Sequence, residues 1–163
     1  MPSRKYRVIV IAVSLILFVV SLVLPAISYI SGRPNLLDVG HPAKGPGWIF
    51  LVFGWAAFVF VQVAAVAWVA NVTFAASVIS FARGRDRMAI RLTIISIVAG
   101  ISFFPLSIYF PVLIPFSGQG ETIYLPKPEI GFAAWVISFA CVGVGAFFMN
   151  QREIQSRDKG AGG

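Results

Sequence analysis

From Trp48 to Ala82 the chain runs for 35 residues without one charged side chain. A helix or sheet that touches water must offer it a polar face, and this stretch has none to offer. As one straight helix it would be roughly 52 Å long, more than a hydrocarbon core of about 30 Å with its interfaces. Two spans would need a polar turn, and the only candidate, Asn71-Val72-Thr73, contains neither Gly nor Pro. We therefore expect one span over 48–72, a bend near Asn71 and an interfacial extension to residue 82. The triplet is formally a glycosylation sequon, but a position at membrane depth removes that use.

Composition extends the conclusion to the whole chain. Of 163 residues 58% are hydrophobic and only 12% charged, against about 25% charged in a soluble domain. A soluble domain and an intrinsically disordered chain are both excluded. Further apolar stretches predict spans at about 8–30, 91–110 and 130–149. The first follows Arg4, Lys5 and Arg7 and resembles a secretory signal, with Ala26-Ile27-Ser28 as a conceivable cleavage site. Val8 to Leu24 is 17 residues, longer than a signal's typical apolar region of about 7–15, so we read a retained anchor.

Proline and glycine mark the breaks. The segments 32–47 and 111–129 are rich in both and predict aqueous loops, with Glu121–Leu125 able to form a short extended piece. The run 83–91 contains Arg83, Arg85, Asp86, Arg87 and Arg91 and is expected to be too charged to be buried. Pro105 is expected to kink the third span, and the tail 153–163 to be flexible. The arm 1–7, the run 83–91 and the tail with Arg152 just before it together hold ten of the 13 basic residues. By the positive-inside rule these are cytoplasmic, and the loops 32–47 and 111–129 face outward. The expected fold is an all-α integral membrane protein, a single domain over 8–152 of four transmembrane helices in an up-down bundle, with both termini in the cytoplasm.

Lipid gives helices no hydrophobic reason to associate, so their interfaces rely on small residues. Span four carries Gly131, Ala134, Ser138, Cys141 and Gly145 at heptad-like spacing, a predicted packing face, with Ala146 about 100° away and expected to face lipid. Span three carries Thr93, Ser96, Gly100, Phe103 and Ser107 in the same series, and Ser14, Ser21 and Ser28 lie seven apart. Gln62 and Asn71 are expected to hydrogen-bond to neighbouring helices. Trp and Tyr near the span ends read as interfacial anchors.

The inventory of reactive groups points away from enzymes. One cysteine, Cys141, allows no intramolecular disulfide or thiol relay, and one histidine, His41, cannot supply two axial haem ligands. No cofactor or metal is expected, no nucleic acid partner, and no acidic residue of the kind proton-coupled transporters keep inside the membrane. The polar groups able to converge on the outer face are Asp38, His41, Glu121 and Glu129, beside Lys44 and Lys127. The cytoplasmic Lys and Arg are expected to meet the bilayer and its anionic headgroups. The expected role is that of a protein working through contacts with a membrane partner or with itself, as an accessory subunit or an immunity-type protein. The alternative is a membrane enzyme or a lipid- or small-molecule-handling protein with a site on the outer loops. Segments such as Gly54-Trp55 and Gly131-Phe-Ala-Ala-Trp135 resemble small four-span proteins of the bacterial inner membrane, which implies that location and no activity.

Overall fold

The computed structural model describes residues 2–32, 41–53, 55, 64–109, 112–113 and 122–161. The elements in chain order are α1 (Pro2–Val23), β1 (Pro25–Gly32), β2 (His41–Pro46), α2 (Gly47–Phe53), α3 (Ala64–Ala82), α4 (Asp86–Tyr109), β3 (Val112–Leu113), β4 (Thr122–Pro128) and α5 (Ile130–Ala161). The protein is mostly helical. Helices α1, α3, α4 and α5 are each long and apolar enough to cross a membrane.

Four contacts fix how these helices run. Ser14 of α1 meets Ser138 of α5, Thr73 of α3 meets Ser96 of α4, Gly100 of α4 lies against Trp135 of α5, and Phe18 stacks on Phe74. With the neighbouring contacts, each of these pairs runs antiparallel. The start of α1, the end of α3, the start of α4 and the second half of α5 therefore share one end of the bundle. The strands lie at the other.

The interior mixes hydroxyls with aromatic and small apolar side chains, and the exterior is greasy. Ser14, Ser21, Ser77, Thr93, Ser96, Ser107 and Ser138 are all buried, whereas Ile16 is 62% exposed and Val144 54% exposed. A soluble bundle has the opposite arrangement, because water rewards burial of the branched aliphatics. Every buried hydroxyl has a use. Ser14 donates to the Ser138 carbonyl at 2.7 Å, Ser77 donates to the Ala89 carbonyl at 2.9 Å, Thr93 lies 2.9 Å from Ser77 and Thr73 2.7 Å from Ser96. Between these ties runs a string of rings, Phe18, Phe74, Phe139 and Trp135, each within 5.3 Å of the next by ring centroids.

Helices α3 and α4 are joined by a turn of three residues. Gly84 takes φ +77°, its N–H bonds the Phe81 carbonyl at 3.1 Å and the Arg85 N–H bonds the Ser80 carbonyl at 2.9 Å. This is a Schellman ending, which needs a left-handed residue where glycine fits without a Cβ penalty. The interior of the turn is closed by a charge pair. Arg7 donates to both carboxylate oxygens of Asp86, at 2.8 Å for Nη2 to Oδ2, and to the Phe81 carbonyl at 2.7 Å.

Several expectations need correction. The fold is not all-α: the strands form one antiparallel sheet in the order β2-β1-β4-β3, built from the segments read as loops and from the end of the first span. That span does not reach residue 30, because Pro25 cannot continue the helical bonding and opens a strand instead. The extended piece expected at Glu121–Leu125 is present as β4, one residue later. The long apolar helix of this stretch is described over 64–82, with α2 over 47–53 before it, and α3 runs through Asn71 without interruption. The bend expected there is absent, while residues 56–63, including Gln62, lie outside the described residues. The charged run shortens to 83–85, since Asp86 begins α4 and is 5% exposed. The last helix continues to Ala161, so most of the tail is helical. Ser28 lies in β1, beyond the helical series of Ser14 and Ser21. Ala146 belongs to the buried core and does not face outward.

Candidate functional site

The sheet is set onto the helices by their own backbones. Leu24 alone separates α1 from β1, and Glu129 alone separates β4 from α5. The Gly47 N–H donates to the Leu24 carbonyl at 3.2 Å and the Glu129 N–H to the Ala26 carbonyl at 3.0 Å. Strand β1 is the shared partner. Its Tyr29 pairs with Ala43 on β2, and its Ser28 with Lys127 on β4.

Beneath this roof lies a partly open crevice of about 80 Å³. Its walls come from one turn of each long helix: Ser21 and Leu22 of α1, Ala67 to Asn71 of α3, Gly100 to Phe104 of α4, and Gly131 to Trp135 of α5, with Leu51 of α2 and Ile27 of β1 at its sides. Two glycines hold the walls in place. A Cβ on Gly100 would lie 2.6 Å from the Trp135 ring, and one on Gly131 would lie 2.6 Å from the Pro25 carbonyl oxygen. Both polar tips of the lining indoles are engaged. Trp135 Nε1 donates to Asn71 Oδ1 at 2.9 Å, and Trp68 Nε1 donates to the Leu51 carbonyl at 3.2 Å. The lining is therefore almost wholly carbon.

The charged groups expected on this face are only partly brought together. Glu129 sits between β4 and α5, and its carboxylate is 3.4 Å from Lys44 Nζ on β2. With Lys44 well exposed, such a contact is worth about 0–1 kcal/mol. His41 opens β2 opposite Ser31 of β1, and only its backbone is described. Asp38 and Glu121 lie outside the described residues. Among the described residues no group of three His, Cys, Asp or Glu comes close enough to hold a metal ion.

The small residues of α5 divide. Gly131, Ser138 and Gly145 are buried and meet α1 or its continuation: Pro25 for Gly131, Ser14 for Ser138 and Val10 for Gly145. Ala134 and Cys141 are half-buried. Asn71, expected to bond a neighbouring helix, bonds α5 through Trp135. Sequence reasoning missed the Arg7–Asp86 pair and the crevice. Asp86 was visible as the lone acid in a run of arginines, but nothing local to it names Arg7.

No protein-family model, curated protein or solved structure matches this chain.

Proposed function

We propose that the four long helices cross a bilayer, with the arginine-rich end and both termini in the cytoplasm and the sheet on the outer side. The inner membrane of a bacterium is the setting this reading assigns. The greasy exterior supports insertion, since a helix surface of exposed Ile, Val and Phe suits surroundings that are themselves apolar. In this reading the arginines and lysines of the cytoplasmic end rest on anionic headgroups.

Within that bilayer the protein acts without a catalytic centre, through contacts with a membrane-protein partner or with a second copy, as an accessory subunit or an immunity-type protein. The observation that carries this reading is that no described buried side-chain N or O atom lacks a hydrogen-bond partner. The polar groups inside the bundle are engaged, some across helices and some along their own helix. The element left to act is the sheet that α1 and α5 raise beyond the bundle. Purification in mild detergent tests the reading. A partner or a second copy should co-elute and be lost when the sheet face is altered by Lys44→Glu with Lys127→Glu. A protein that always elutes alone and monomeric refutes it. Single alanines at Asp38, His41, Glu121 and Glu129 supply the opposing arm, because loss of phenotype at two or more of them with normal protein levels favours an outer-face enzyme or lipid-handling site.

A further inference from the structure

The proposed role leaves the crevice beneath the sheet unused. We infer that it is a binding site for a linear hydrocarbon, the acyl chain of a lipid in the leaflet on the sheet side. The inference rests on the bilayer reading above, which surrounds the helices with such chains.

The lining decides the chemistry. Leu22, Ile27, Leu51, Phe103 and Phe132 present carbon, and the indole N–H groups of Trp68 and Trp135 are already bonded to protein. Water does not settle in such a place, because a buried water needs roughly two to four polar partners. Size narrows the choice. An engineered apolar cavity of about 150 Å³ admits benzene, and this one has about 80 Å³. That suits a run of methylenes and excludes a fused ring system. A partner helix, about 10 Å across, cannot enter.

Depth fixes the source. The walls span five residues on α3 and on α5, from Ala67 to Asn71 and from Gly131 to Trp135, or about 6 Å along the axes. They lie at the helix ends nearest the sheet. At that level a lipid can place the upper part of one chain between the helices and keep its headgroup at the interface. The crevice also resists collapse. At Gly100 and Gly131 the facing groups already approach more closely than a Cβ would permit, so the walls are in contact around it and cannot close further by sliding.

Trp135 is the natural reporter. Trp48, Trp55 and Trp68 are changed to Phe, and the protein is reconstituted in phosphatidylcholine vesicles with plain or brominated acyl chains, bromine being a contact quencher of indole emission. Trp135 should lose most of its emission in the brominated vesicles. Ala67→Phe, which fills the crevice from α3, should restore it, and so should Ala26→Leu, which fills it from β1; either variant suffices if the other fails to fold. A protein with all four tryptophans changed to Phe and carrying Val144→Trp reports bilayer contact on the outer surface. Quenching there with none at Trp135 overturns the site and leaves the bilayer reading intact. Equal quenching of Trp135 with and without the filling substitutions also overturns it, since the bromine then arrives from outside. No quenching at either reporter defeats the bilayer reading and this inference with it.

Discussion

Arg7 and Asp86 are 79 positions apart in the chain and form the one buried charge pair among the described residues. The guanidinium lies 4.8 Å over the Phe81 ring and binds both carboxylate oxygens and a carbonyl at the end of α3. One side chain thus ties α1, the end of α3 and the start of α4. Asp86 also sits in the first turn of its helix, where a negative charge is favoured by the helix dipole. Removing either member strands the other charge. Arg7→Ala and Asp86→Ala should each cost about 3 kcal/mol, the low end for a broken buried pair because Arg7 keeps some hydration. The double variant should cost clearly less than the two together, which a double-mutant cycle of unfolding in detergent measures. Arg7→Lys should recover only part, since an ammonium cannot match both oxygens and the carbonyl at once. The sequence hid this pair for a physical reason. A run of Arg-Gly-Arg-Asp-Arg reads locally as solvated, and only tertiary packing brings a distant arginine to neutralise its acid.

At the scale of elements, α5 packs through its small residues against both α1 and α4. Gly145 leaves room for Val10, whose Cγ1 would stand 2.7 Å from a Cβ there, and the β-branched valine has little rotamer freedom with which to yield. Gly145→Leu and Ser138→Leu should each lower stability by about 1–3 kcal/mol through overpacking. Val144→Leu, at an exposed position, should be nearly neutral. Thermal melting in detergent separates them. Ala146→Leu now belongs with the costly group, because Ala146 is fully buried. The helices were legible in the sequence because charge-free length is a local property. The buried series Thr93, Ser96, Gly100, Phe103 and Ser107 was legible too, since its spacing follows one face of a helix. The sheet was not. Pro25 to Gly32 continues an apolar run that periodicity alone assigns to a helix, and short apolar strands cannot be told from helix by pattern. Its partner β4 comes from the far end of the chain, beyond the reach of any local signal. Pro25 itself was the clue, as a residue that ends a helix and is accommodated at the first position of a strand.

For the whole molecule, the proposed orientation makes a direct prediction. With Cys141→Ala as background, Lys44→Cys and Lys127→Cys should react with an impermeant maleimide on intact cells, and Arg4→Cys and Arg85→Cys only after permeabilisation. Labelling of Arg85→Cys from outside reverses the topology. Position 86 is unsuitable for the test, because its carboxylate is half of the buried pair. The way α1 and α5 pass into β1 and β4 has a mechanical consequence. These two runs of chain form a pair of rails, held by side chains through the bundle and backbone to backbone through the sheet. To slip α1 past α5 by one helical turn, about 5.4 Å, β1 would have to move along β4 by one to two residues. A shift of one residue turns every strand side chain to the wrong face. A push on the arginine-rich end along these rails therefore reaches the sheet through backbone, by way of Leu24 and Glu129. The α3–α4 hairpin has no such backbone link to either rail, and its three-residue turn is tied to α1 by a single arginine.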